Sequence, residues 1–234
     1  AQGFDVGILD PAASERENSW SRDALSTADL VICATPPAAT AALYREWAKR
    51  PPAGLVVDIA SIKTPLVEPI RALRKAGGRV ASIHPMFGPS VVLLREADVV
   101  ICDTGDAEAA EEAKLLFRST TARMVRMPIE EHDRVMADVL SLAHATAIAF
   151  ACALPEAEHP VRSTTFQALE ALAAAVVRES PEVYFEVQAE NPHSAAALER
   201  MRAALDRIAA AVRGRDAGGF GEILRDGLER TKRE

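Results

Sequence analysis

Asp10, Ser61, Lys63 and His84 each stand at or just beyond the end of a short apolar run. The runs are "DVGILD" (5–10), "GLVVDIA" (54–60) and "RVASIH" (79–84). His84 carries the clearest chemistry, because an imidazole titrates near neutral pH and suits general-base work on a hydroxyl group. In "SIHPMFGPS" it precedes Pro85, and a residue before proline is driven to extended backbone, so the ring is held as well as placed. The plainer reading is a histidine satisfied within the core. Ser61 and Lys63, in "DIASIKT" (58–64), offer a hydroxyl and an ammonium two residues apart. Such a pair can meet a substrate hydroxyl and a carboxylate, or equally form a helix N-cap with a solvated lysine.

A second set lies in "EEHDRVMADVLSLAH". Asp133 and His144 are eleven residues apart, nearly three helical turns, and share a face; His132 lies about a third of a turn away. A metal site would want histidine and carboxylate at i, i+4, so no metal is expected. Cys33, Cys102 and Cys152 are widely spaced and form no C-x-x-C pair, which reads as free thiols in a reducing, cytoplasmic setting.

The elements that must position these groups have two textures. Up to residue 127, six β-rich runs (5–10, 28–35, 54–60, 79–84, 97–103 and 122–127) alternate with helical patterns. Continuously apolar strands between helices predict a parallel, doubly wound α/β sheet covered on both faces. From 128 to 234 the pattern is helical throughout, opening with Pro128 and acids in the first turn. The alanine-rich stretch 139–154 is too apolar for one amphipathic helix on a small domain, and a homo-oligomer interface explains it. The expected division is thus 1–127 and 128–234.

In open α/β sheets ligands lie at the carboxyl ends of the strands. Asp10 then suits the ribose hydroxyls of a dinucleotide, or caps a turn before Pro11. No arginine follows it to meet a 2′-phosphate, which favours NAD over NADP. Ala34, Thr35, Pro36 and Pro37 ("ATPP") form a stiff loop, fit to lie along a flat cofactor or simply to start a helix. No G-x-G-x-x-G occurs. The opening "AQGFDVGILDP" reads as the middle of a motif, so an upstream strand and glycine loop are expected to be missing from this chain.

A formal net charge of −7 argues against nucleic acid or an anionic membrane as partner and leaves a small molecule as the expected ligand. No apolar run approaches the ~20 residues that span a bilayer, so no membrane span is expected.

Four stretches together resemble the prephenate/arogenate (cyclohexadienyl) dehydrogenases, including 4-amino-4-deoxyprephenate dehydrogenase-like members. "HPMFGP" is the most specific; "DIASIK" is similar to D-x-A-S-x-K, "EHDRVMADVLSLAH" to H-D-x-x-x-A…H, and "SPEVYFEVQAEN" to P-x-x-[WY]-x-x-[IV]-x-x-x-N. The resemblance implies a Rossmann domain followed by a helical dimerisation domain, with the active site between them. It implies NAD-dependent oxidation of a ring hydroxyl coupled to loss of the ring carboxylate. It makes His84 the base and Ser61 its partner near substrate and nicotinamide. Lys63, His132 and His144 become substrate-pocket groups, with Asp10 and Ala34–Pro37 on the cofactor. The arginine by which that family clamps a carboxylate falls at Ala175 here, with Arg178 one turn later as a substitute. The expected activity is therefore on prephenate, with the 4-amino analogue as the alternative. A binding or regulatory homologue lacking the phosphate loop is the reading from another class.

Overall fold

A computed structural model describes residues 3, 5–10, 22–88, 94, 97–157 and 159–232. Pro11, which follows the turn expected at Asp10, lies outside the described residues, as does Pro89 at the end of the "HPMFGP" stretch. The chain divides into two compact units, Ala1–Asp133 and Arg134–Glu234.

The first unit is built on a five-stranded sheet, β1 (Leu30–Cys33), β2 (Leu55–Asp58), β3 (Arg79–Pro85), β4 (Asp98–Asp103) and β5 (Arg123–Pro128), in that spatial order. Helices α1 (Pro37–Trp47), α2 (Val67–Lys75) and α3 (Ala107–Lys114) connect the strands, and α4 (Ile129–Met136) follows β5. β1, β2 and β3 are parallel, as are β4 and β5, but β3 and β4 pair antiparallel. The sheet is therefore mostly parallel, in keeping with the doubly wound α/β reading, with one antiparallel pair between β3 and β4.

Residues 5–10 form no sheet strand among the described residues. They contribute one bridging position at Ile8 and leave Val6, Ile8 and Leu9 exposed, because an apolar run becomes a strand only where a neighbour takes its hydrogen bonds. β3 also runs one residue past His84, and the Met86 amide donates to the Asp98 carbonyl at 2.9 Å.

Side chains alternate across the strands, so the sheet has two different faces. Leu55, Val57, Ala81, Ile83, Val99 and Ile101 form one apolar face and pack with Ala109, Ala110 and Ala113 of α3. The other face carries Asp58, Ser82 and Cys102 in cross-strand register, with His84 two residues beyond Ser82. All four are buried.

The second unit is helical. A π-helical segment (Ala137–Leu142) joins α4 to α5 (Ala143–Ala153), and α6 (Thr164–Val177), α7 (Pro181–Glu190), α8 (Ser194–Gly214) and α9 (Ala217–Thr231) follow. Ser163 caps α6 by accepting from the Phe166 amide, and Asp216 caps α9 by accepting from Gly219. The helix Ile129–Ala153 is long and apolar enough, by length and composition, to cross a membrane, which corrects the expectation of no such run. Only 22% of its most apolar window is buried.

Candidate active site

The polar face of the sheet gathers its chemistry where β2 ends. The β2–β3 ladder stops at Ser82, so His84 and Pro85 overhang β2 and pair only with β4. The proline, which has no N–H, therefore leaves no ladder bond unmade on the β2 side. Lys63 fills the space left beyond β2. Its ammonium donates to Asp58 Oδ1 at 2.5 Å and to the Ile83 carbonyl at 2.7 Å, and both side chains are wholly buried. A buried pair holds only when both charges meet partners of good geometry. Here Lys63 ties the end of β2 to the residue that precedes His84.

From α4, His132 and Asp133 reach the same place. Asp133 accepts from the Lys63 amide at 2.9 and 3.1 Å and from the Thr64 amide at 2.7 Å. These amides open the 3₁₀ turn Thr64–Leu66 that leads into α2, where a carboxylate is favoured. His132 Nδ1 lies 2.7 Å from Asp133 Oδ1, and His132 Nε2 lies 3.0 Å from His84 Nδ1. The two rings are 5.1 Å apart between centroids. These bonds hold the first turn of α4 in the first unit and put the division after Asp133.

Burial, then the nearby Lys63 and His132, push the His84 imidazole well below its usual range. Burial also lowers His132, against the pull of its bond to Asp133. Burial pushes the Asp133 carboxyl up, but donors from His132, Thr64 and Lys63 outweigh it and hold it below the usual carboxylate range. The arrangement is two neutral imidazoles in series on one carboxylate.

The geometry brings together His84, His132 and Lys63. It adds Asp58 and Asp133, to which the sequence alone assigned no part in the site. The spacing of Asp58 to Lys63 across a strand end, and the adjacency of His132 to Asp133, were the available signals. The Lys63 ammonium is turned inward on Asp58 and the Ile83 carbonyl, because a buried ammonium must find an acceptor. His132 is likewise wholly buried, with both ring nitrogens engaged by His84 and Asp133. Ser61 is half-buried and its hydroxyl makes no hydrogen bond to His84.

The remaining candidates are placed singly. Asp10 is exposed. Ala34 and Pro36 are exposed at the carboxyl end of β1, while the Thr35 and Thr40 hydroxyls lie 2.8 Å apart. In the second unit, His144 packs edge-on against Tyr184 at 4.5 Å, and burial lowers its pKa. Arg178 caps the end of α6 and is exposed, as is Ala175. Arg162 is occupied by Glu170 at 3.0 Å. Cys33 and Cys102 are buried thiols pushed up to about 12, mainly by burial, and so are inert at neutral pH; Cys152 is free and exposed.

Comparison with known proteins adds a family to this geometry. Residues 10–126 match the model for the prephenate dehydrogenase nucleotide-binding domain, and residues 128–226 match that for the prephenate dehydrogenase dimerization domain. A 4-amino-4-deoxyprephenate dehydrogenase of Streptomyces pristinaespiralis is 31% identical over 86% of this chain and 70% of its own length. A probable arogenate/prephenate dehydrogenase of Methanocaldococcus jannaschii is 26% identical over 87% of this chain. The chain spans about half of that relative's length, 48%. Among solved structures, prephenate dehydrogenase from A. aeolicus in complex with hydroxyphenyl propionate and NAD+ shares the fold, with a TM-score of 0.66 at 18% identity over 86% of this chain and 75% of that one. Synechocystis arogenate dehydrogenase does so at 0.65 and 17% identity over 88% and 79%.

Proposed function

The chain belongs to the prephenate dehydrogenase family, and from that premise we propose that it oxidises the ring hydroxyl of a prephenate-like dicarboxylate with NAD, with loss of the ring carboxylate. The observation that carries this reading is His84. It is a neutral imidazole at the carboxyl end of β3, tethered through Nδ1, whose Nε2 has no partner among the described residues. Such a nitrogen suits removal of a hydroxyl proton.

The residues at the carboxyl end of β1 fit a dinucleotide in part. The start of α1 has neither a side-chain cap nor an acid in its first turn, which leaves its amides open to a polar or anionic group. Ala34, Thr35, Pro36 and Pro37 would hold the cofactor there, with Asp10 on its ribose and Ser61 beside the reacting carbon. The sequence contains no glycine-rich phosphate loop, so no pyrophosphate contact is assigned. Bound NAD supplies the hydride acceptor. His84 takes the hydroxyl proton, and Lys63, paired with Asp58, holds the strand end beneath it. Decarboxylation then follows because the product ring becomes aromatic. Arg178 and His144 are the candidates for binding the substrate on the second unit.

The relative from Streptomyces pristinaespiralis, together with Ala175 in place of the carboxylate-clamping arginine, supports a second reading. In it the substrate is 4-amino-4-deoxyprephenate. NADH production from prephenate, arogenate and the amino analogue, measured in parallel, separates the readings. No NADH from any of the three would favour a binding or regulatory role instead.

We read the assembly as a cytoplasmic homodimer. From Val139 to Ala153 the helix is free of charge for 15 residues, about 22 Å at ~1.5 Å per residue, short of a ~30 Å hydrocarbon layer. A second copy of this chain suits its exposed apolar surface better than lipid.

A further inference from the structure

The buried row His84–His132–Asp133 specifies where the protons sit, and its use in catalysis rests on the proposed role of His84 as the base. At the inner end of the row, the Asp133 carboxylate accepts from the Lys63 and Thr64 amides, and an ionised carboxylate can only accept. His132 Nδ1, 2.7 Å from Oδ1, must then carry the hydrogen. His132 is neutral, so its Nε2 is a bare lone pair. The 3.0 Å contact to His84 Nδ1 consequently requires His84 to donate from Nδ1. A neutral His84 protonated at Nδ1 has a bare Nε2.

We propose that His132 and Asp133 are positioning residues that lock His84 in the Nδ1–H tautomer, leaving Nε2 as the atom that takes the substrate's proton. In water a free imidazole side chain favours the opposite tautomer, so the lock converts a poor orientation into a competent one. In the step served, the substrate O–H bond breaks and an Nε2–H bond forms. The ring carbon's hydride leaves for the nicotinamide as C=O forms. The positive charge then on His84 is stabilised where it stands: its Nδ1–H donates to His132, whose own Nδ1–H donates to the Asp133 carboxylate, and that carboxylate is anchored at a helix start. Among the described residues the charged or titratable groups about the ring are Lys63 from the segment after β2, and His132 and Asp133 from α4. Asp58 stands behind Lys63. Lys63 opposes protonation of His84, and the hydrogen-bonded row ending on the Asp133 carboxylate offsets that opposition.

The test is tautomer assignment in the full chain labelled with ¹⁵N-histidine, read from long-range ¹H–¹⁵N correlations alongside kinetics. Wild-type His84 should show a protonated Nδ1 and a bare Nε2. His132→Leu should release it to the Nε2–H form and lower kcat about 10- to 100-fold, with KM for NAD little changed, as loss of an orienting partner does. His132→Gln, whose amide oxygen can accept from Nδ1, should restore the tautomer and most of kcat. An Nε2–H tautomer in the active wild-type enzyme overturns the lock and leaves the proposed function standing. An Nδ1–H tautomer without turnover of any of the three ring substrates supports the lock and overturns the function. The wild-type spectrum decides the matter even where His132→Leu does not fold.

Discussion

The two units break the ordinary distribution of side chains in opposite directions. The first buries ionisable side chains: Asp58, Lys63, His132 and Asp133 are all at or near zero exposure. The second exposes apolar surface: Leu172, Val177, Val183 and Phe185 on α6 and α7 are more than half exposed, as are Leu224 and Leu228 on α9. Buried charge is costly unless every member is paired, and it is retained here around a single imidazole. Exposed apolar side chains are ordinary singly but not as successive helix faces, and the proposed homodimer would cover them. On the proposed function, one unit is organised around the reacting group and the other around a second copy of the chain.

The sharpest way to break the contrast is His84→Asn. Turnover should fall by about 10²- to 10⁴-fold, the usual worth of a positioned base, while NAD affinity by calorimetry stays within a few-fold. Near-normal turnover would sink the assignment. Lys63→Met comes next, since it strands Asp58 without its cation. Denaturant unfolding should show a loss of about 3–5 kcal/mol, much of it recovered when Asp58→Asn is added. A loss below about 1 kcal/mol would mean the pair is hydrated and not buried.

Charge placed on the second unit should do the reverse. Leu172→Asp and Phe185→Asp should leave the stability of the isolated chain within about 0.5 kcal/mol, because neither side chain is buried in it. Sedimentation should nonetheless shift from dimer to monomer. An unchanged dimer would move the interface elsewhere.

The smallest effects are in pH. His84, His132 and His144 are lowered when folded, so the unfolded chain takes up protons first as pH falls below about 6.5. Stability should decline across that window in thermal melts, and more steeply in wild type than in His84→Asn. At the alkaline end, Cys33 and Cys102 are raised from 9.0 to about 12, so the unfolded chain loses protons first. Stability should fall again as pH rises through that range. Flat melts from pH 9 upward would show the two thiols to be less enclosed than the sheet places them.

Much of the fold is legible in the sequence. Five of the six predicted strands pair in the sheet, because buried runs such as "LVVD" and "VVIC" have no other way to satisfy their backbone. The run at 5–10 failed for the complementary reason, having no partner strand beyond a single bridge. The antiparallel turn of β4 was not legible, since periodicity reports burial and not direction. His84 was found from its place at a strand end. The roles of Lys63 and His132 were not, because each looks equally polar in sequence whether it faces solvent, ligand or core.

By itself, then, the sequence determined the elements, the face of the sheet on which Ser82 and His84 both lie, and the motifs that identify the family. The tertiary structure decided the partners. Lys63 meets Asp133 across 70 positions of chain and His84 meets His132 across 48. Contacts at such separations depend on strand register and on where α4 returns, which no local pattern encodes. A side chain's protonation and orientation follow from those partners, and so the sequence could locate the histidine while only the fold decided which of its ring nitrogens is tethered.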